Sequence, residues 1–174
     1  IYNLSNKLKT ISETNKSKPS SLYGLTKLLA EKELIKKFNK ENIILCIGRI
    51  FSFTDKYQKK PFVIPEITDK ILKSKTNVVK LKNLNHFRDF ISSKDIIKII
   101  YKLYLHKKDG IFNIGSGKKI NLKDIALSIG KKLNKKIIFT KDNKTTFLVS
   151  NNKKIRKFYS KKLINPIREI LDNI

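Results

Sequence analysis

The sequence predicts an α/β protein, and three observations carry that expectation. A segment with apolar residues at helical spacing, Leu25, Leu28, Leu29, Ile35 and Phe38, reads as an amphipathic helix. After a short link comes the continuous apolar run Ile43-Ile44-Leu45-Cys46-Ile47, as expected of a parallel strand covered on both faces. Helix followed by strand is the second half of a βαβ unit, and the same alternation continues to the C-terminus. A chain of 174 residues with 40% hydrophobic content is long enough to bury a proper core.

Each element has its own signal. Residues 1–19 form a loop rich in Ser, Asn, Lys and Thr. Ser20 or Ser21, preceded by Pro19, opens the first helix as N-cap, and the helix ends near Asn39. Residues 54–64 read as a polar loop, a candidate lid over a substrate. A helix from Glu66 to Lys73 precedes a strand at Val78–Leu81, and a further strand at Arg88–Ile91 leads to Asp95. Asp95 is the expected N-cap of Ile96–Leu105, whose apolar positions include Ile97, Ile100, Tyr101 and Tyr104. Gly110 stops that helix, and Ile111–Ile114 reads as a buried strand. Gly115-Ser116-Gly117 is a turn, since no Lys-Ser/Thr pair completes a phosphate loop. Asn121 with Asp124 caps Leu122–Leu133, followed by a strand at Lys136–Thr140 and helices near Asn151–Phe158 and Pro166–Leu171.

Composition narrows the function. The net charge of +26 raises nucleic-acid binding. Against it, 36 of the 40 basic residues are lysines scattered through every segment, whereas base readout and phosphate forks favour arginine. No nucleic-acid-binding motif appears, so the charge reads as a solvated surface. No apolar run reaches the roughly 18 residues of a membrane span, and no membrane partner is expected. The single cysteine, Cys46, excludes an internal disulfide framework and is expected to be a small buried hydrophobe. A cytoplasmic location follows as the expectation. His86 and His106 have no Cys or acidic companions at ligand spacing, so no metal site is expected, and Asp55, Glu66 and Asp69 form no paired-carboxylate arrangement.

The chemistry-bearing feature is Tyr23 with Lys27, four residues apart in Pro19-Ser20-Ser21-Leu22-Tyr23-Gly24-Leu25-Thr26-Lys27. That spacing sets both side chains on one helix face. An ammonium beside a phenol favours the phenolate over the ordinary pKa near 10, which suits reversible oxidation of a secondary alcohol. Spacing alone is weak: six tyrosines among so many lysines yield about one such pair by chance, and Tyr104 with Lys108 is a decoy. The bland alternative for Tyr23 and Lys27 is an aromatic core residue with a snorkelling lysine.

The surroundings decide. Pro19 to Glu31 resembles the active-site helix of the extended short-chain dehydrogenase/reductases, the NAD-dependent epimerase/dehydratase family acting on nucleotide sugars. Ser12-Glu13-Thr14 before Pro19 resembles that family's loop leading to the tyrosine. Gly48-Arg49-Ile50-Phe51-Ser52 is similar to its Arg-x-x-Asn segment, with Ser52 where the family has Asn. Phe87-Arg88-Asp89-Phe90-Ile91-Ser92-Ser93-Lys94-Asp95 resembles Arg-Asp-Phe-Ile-x-Val-x-Asp, with Ser93 in place of Val. Gly110-Ile111-Phe112-Asn113-Ile114-Gly115-Ser116-Gly117 resembles Tyr-Asn-Ile-Gly-x-Gly. The family's Gly-x-x-Gly-x-x-Gly turn is absent, and Ile1-Tyr2-Asn3 resembles the Val-Tyr-Gly just after its catalytic Ser/Thr. The expectation is therefore a C-terminal half: the last part of a Rossmann-type parallel sheet plus a smaller α/β substrate-binding domain. Residues 1–53 would complete the cofactor domain and 54–174 form mainly the substrate domain, with a strand near 111–114 returning to the Rossmann sheet.

The resemblance implies roles. Tyr23 would exchange a proton with a substrate hydroxyl, and Lys27 would hydrogen-bond the nicotinamide ribose. Ile50 and Phe51 would line the nicotinamide, Ser52 would face the substrate, and Arg88 would bind the nucleotide diphosphate through its planar fork. Asp89 offers Arg88 an alternative ion pair, and Asp95 reads as structural. NAD or NADP is the implied cofactor, a nucleotide sugar the substrate, and a homodimer the implied assembly at full length. The competing reading is a non-catalytic module that binds a sugar nucleotide or a protein partner.

Overall fold

Parallel strand pairing organises the chain, which has a mixed α/β architecture. A computed structural model describes residues 1–7, 10–38, 41, 43–140, 142 and 144–174. In chain order the elements are β1 (Thr10–Ile11), α1 (Leu22–Phe38), β2 (Cys46–Ile50), β3 (Ser52–Thr54), α2 (Val63–Leu72), β4 (Val78–Leu81), β5 (His86–Arg88), β6 (Phe90–Ser92), α3 (Ser93–Leu105), β7 (Gly110–Ile114), β8 (Ile120–Asn121), α4 (Leu122–Lys132), β9 (Lys136–Phe139), β10 (Thr146–Ser150), α5 (Lys153–Arg156) and α6 (Pro166–Asp172). β2 runs parallel to β7, with Cys46 opposite Gly110 and Ile50 opposite Ile114. β3 pairs with β6 and β4 with β9, both parallel. β1, β10 and β5 form a parallel ladder to which β8 adds antiparallel. Two apolar clusters result. One joins α2, α4 and α6 around Ile71, Ile125 and Ile129; the other packs α3 on β7 around Ile99, Leu103 and Phe112.

Several boundaries differ from expectation for identifiable reasons. The strand expected at Ile43–Ile47 lies at Cys46–Ile50, because its start is set by its partner: Gly110 N donates to Leu45 O (2.8 Å) and Leu45 N to Asp109 Oδ1 (2.9 Å). Gly110 takes a φ of 98°, where a side chain is disfavoured, and this turn feeds β7 into register. Ile43, Ile44 and Cys46 are exposed, since among the described residues no strand pairs with the other edge of β2. Cys46 is therefore not the buried hydrophobe that its apolar run implied. Arg88–Ile91 splits into β5 and β6 around Asp89. α2 starts at Val63, a turn before Glu66, and accommodates Pro65 in its first turn, where no intrahelical N–H is needed.

α1 opens as expected, with Ser21 Oγ accepting from Gly24 N (3.1 Å). Its end near Asn39 falls outside the described residues. Leu25, Leu29 and Ile35 are exposed, whereas Gly24, Leu28 and Glu31 are its buried positions. Asp95 is not the cap of α3: Ser92 Oγ accepts from Lys94 N (3.2 Å), so the helix begins earlier. Asp95 instead accepts from Ile164 N (2.7 Å) and pins the C-terminal segment. The inward face of α3 is Ile96, Ile99 and Leu103, while Ile97, Ile100, Tyr101 and Tyr104 are exposed. α5 is shorter than its expected Asn151–Phe158, and α6 is capped by Asn165, which accepts from Ile167 N (3.0 Å). No helix among the described residues is long and apolar enough to cross a membrane.

Asp89 joins the sheet to the glycine turn. Fully buried, its carboxylate accepts from Ser116 N (2.7 Å), Ser116 Oγ (2.5 Å), Gly117 N (3.0 Å) and Ser150 N (3.1 Å), and from Ser150 Oγ. Removing it strands several buried donors, each worth about 1–3 kcal/mol when unsatisfied. Asp89→Ala is expected to lower stability by at least about 3 kcal/mol, read as a lower urea midpoint with unchanged slope. A loss below about 1 kcal/mol would remove Asp89 from this role.

Candidate active site

A cavity of about 730 Å³ lies between α1, the β2–β3 segment and the loop before α2. α1 contributes Tyr23, Lys27, Ala30, Glu31 and Leu34, the positions that its helical period turns to one side. Ile50, Phe51 and Ser52 come from the bend where β2 passes into β3. Gln58, Phe62, Val63 and Ile64 come from the loop and the start of α2, Tyr2 from the N-terminal segment, and Leu148 from β10. Tyr23, Lys27, Ile50, Phe51 and Ser52, singled out in the sequence, thus share one cavity.

Tyr23 is 72% exposed, and Lys27 Nζ stands 5.4 Å from its ring centroid, within cation–π range. The decoy pair is not equivalent: α3 ends at Leu105, and Lys108 Nζ sits over the Phe158 ring at 4.7 Å.

What fixes α1 over the cavity is a buried ion pair between Arg49 and Glu31. Arg49 on β2 meets Glu31 on α1 in a two-pronged contact, Nε to Oε2 at 2.9 Å and NH2 to Oε1. Both residues are buried, at 9% and 6% exposure. Arg49 NH1 also donates to the Tyr2 hydroxyl, which donates to Asn113 Oδ1 (2.9 Å), and Asn113 Nδ2 donates to Ile11 O (2.8 Å). The Glu31 carboxylate holds the guanidinium above its ordinary pKa, against the opposing effect of burial. Burial pushes the Tyr2 phenol up, partly offset by its bond from Arg49. One signal was available in the sequence: Glu31 follows Lys27 by four residues and therefore shares its face.

Arg88 is not among the cavity residues, although Leu148, its neighbour across the ladder, is. Its guanidinium donates to Phe87 O (2.8 Å), Thr146 O (3.2 Å) and Thr146 Oγ1 (3.0 Å). The ion pair with Asp89 does not form, because Asp89 is consumed by Ser116, Gly117 and Ser150. Burial without a carboxylate partner among the described residues lowers the Arg88 pKa from its ordinary value.

Thr146 Oγ1 accepts from Arg88 and lies 2.9 Å from His86 Nδ1, so its hydrogen is free for the imidazole lone pair. Burial first, and then the Arg88 cation, hold the His86 pKa below its usual 6.5. The unfolded chain therefore binds the proton more readily than the folded one. Stability is expected to fall as pH drops through about 6.5 toward the lower folded value, and His86→Gln should flatten that slope. Urea midpoints at about pH 7.5 and about pH 5.5 measure it; equal slopes in both proteins would exclude His86 as the source.

Comparison with known proteins agrees with this architecture. The family model described as GDP-mannose 4,6 dehydratase matches residues 4–169. A dTDP-4-dehydro-6-deoxyglucose reductase of Escherichia coli is 31% identical over 131 residues, 73% of this chain and 41% of the relative. The UDP-glucuronic acid 4-epimerase of Bacillus cereus, in complex with UDP-glucuronic acid and NAD, superposes with a TM-score of 0.81 at 20% identity, covering 97% of this chain and 56% of that one. RMD from Pseudomonas aeruginosa, complexed with NADPH, gives 0.80 at 18% identity, with 92% and 58% covered. The chain spans about two fifths of the curated relative's length and somewhat over half of the structural neighbours'. Its parallel strand pairs and its match over nearly all residues have one consequence: the chain belongs to the GDP-mannose 4,6-dehydratase family.

Proposed function

We propose that this chain carries the proton-transfer face and the substrate side of an NAD(P)-dependent nucleotide-sugar epimerase, dehydratase or reductase. The observation that carries the reading is the meeting of Tyr23 and Lys27 with Ile50, Phe51 and Ser52 around one cavity. On this reading residues 1–53 belong to the cofactor domain, and 54–174 belong mainly to the substrate domain. The strand near 111–114 returns to the cofactor sheet, and the intact protein is a homodimer.

The donor set fits a nicotinamide nucleotide. Lys27 has no carboxylate partner among the described residues and presents three N–H donors of the kind that hold ribose hydroxyls. Ile50 is an exposed apolar side chain on the cavity wall and Phe51 a buried one, a lining suited to a flat heteroaromatic ring. Bound NAD or NADP supplies the hydride acceptor and donor. The Tyr23 hydroxyl would exchange a proton with a substrate hydroxyl, taking it as the carbinol carbon is oxidised and returning it on reduction. Positioned proton transfer of this kind is worth about 10²–10⁴ in rate. Arg88, half-buried and without a counter-charge among the described residues, complements a diphosphate at the Leu148 side of the cavity.

In the intact protein, Tyr23→Phe is expected to lower turnover at least about a hundredfold while substrate affinity holds. Steady-state kinetics with calorimetric binding separates the two. Unchanged turnover would remove Tyr23 from the mechanism, and no turnover in the wild type would favour the non-catalytic reading.

A further inference from the structure

Resting on the nucleotide-sugar reading of the cavity, we propose that Gln58 is the residue that recognises the sugar ring, its carboxamide hydrogen-bonding the ring hydroxyls.

The polar side chains of the cavity divide into two groups. Tyr2, Glu31 and Arg49 bond to one another and have little capacity left for a ligand. Tyr23, Lys27, Ser52 and Gln58 line the same cavity with no side-chain hydrogen-bond partner among the described residues. Tyr23 and Lys27 are engaged by proton transfer and ribose binding. A sugar ring carries several hydroxyls, and each one buried without a partner is penalised. Ser52 offers one hydroxyl, whereas Gln58 offers two N–H donors and a carbonyl acceptor. Apolar walls with few polar groups are the usual setting in which one well-placed amide fixes ligand orientation.

The loop presents Gln58 in a defined way. Of residues 56–60, Lys56, Tyr57, Lys59 and Lys60 are exposed and Gln58 alone is partly buried. It lies on the wall shared with a smaller cavity of about 240 Å³. Asp55 anchors the start of the loop, accepting from Tyr57 N (2.7 Å) and from Ser93 Oγ at the head of α3. Gln58 N donates to Asp55 O (3.2 Å), and Phe62 N to Lys59 O (3.2 Å). At the far end Lys60 Nζ reaches Asp69 Oδ2 at 2.8 Å, and the Phe62 ring meets Phe53 at 6.3 Å. A loop anchored this way loses little backbone freedom on binding, so that mainly the Gln58 side chain has to be ordered.

The test is calorimetry on the intact protein with GDP-mannose, dTDP-glucose and UDP-glucuronic acid, and with GDP, dTDP and UDP alone. Gln58→Ala is expected to weaken the nucleotide sugar that the wild type binds by about tenfold, and to leave the matching nucleoside diphosphate within about twofold. Gln58→Glu keeps the length and the acceptor, loses the N–H donors, and should show a comparable selective loss. No selective loss in either variant, or an equal loss for sugar nucleotide and diphosphate, overturns the role of Gln58 alone. Binding of none of the six ligands by the wild type overturns the nucleotide-sugar reading, and this inference with it.

Discussion

The contact between Glu31 and Arg49 links the reactive helix to the sheet. α1 offers little apolar surface to the rest of the described chain: Gly24 and Leu28 are buried, whereas Leu22, Leu25 and Leu29 are exposed. Its position over β2 therefore depends on one buried, two-pronged ion pair, extended through Tyr2 to Asn113 on β7. A buried charge left without its partner is destabilising by about 3–5 kcal/mol, so the pair is geometrically strict even where its net contribution to stability is small. That strictness suits a site in which a phenol must meet a hydroxyl within hydrogen-bond reach.

A second polar centre sits between β5 and β6. Asp89 gathers the glycine turn and β10, and so settles the ladder in which Arg88, Leu148 and Thr146 are neighbours. The adjacent residues Arg88 and Asp89 thus have separate duties. The carboxylate is spent on structure, and the guanidinium, bonded to the neutral oxygens of Phe87 and Thr146, keeps its charge uncompensated among the described residues. Glu169 does similar structural work, accepting from Thr54 Oγ1 (2.5 Å) and Ser92 Oγ (2.7 Å) and binding α6 to β3 and β6.

What could be read from the sequence was what local chemistry decides. α4 follows from Asn121, which accepts from Lys123 N at 2.9 Å, and β4 falls on Val78–Leu81 as expected. β2 was placed three residues early, because an apolar run does not reveal where its partner strand begins. The period of α1 predicted burial for Leu25, Leu29 and Ile35, but burial requires a covering surface, which no helical pattern supplies. Asp95 looked like a cap and became a long-range anchor for Ile164, a choice made by tertiary packing. In the site, the helix period and the family-like segments brought Tyr23, Lys27, Ile50, Phe51 and Ser52 into view. Tyr2 and Gln58 stayed hidden, because their approach depends on how the N-terminal segment and the 55–62 loop fold back.

The measurement closest to the centre of this account is a double-mutant cycle on turnover in the intact protein, pairing Glu31→Gln with Tyr23→Phe. If the ion pair acts by holding Tyr23 in place, Glu31→Gln alone lowers turnover by about tenfold or more. The same change then adds almost nothing in the Tyr23→Phe background, because the group being positioned is already gone. Independent losses that multiply, or no loss from Glu31→Gln at all, would contradict the claim that this buried pair presents the tyrosine to the substrate.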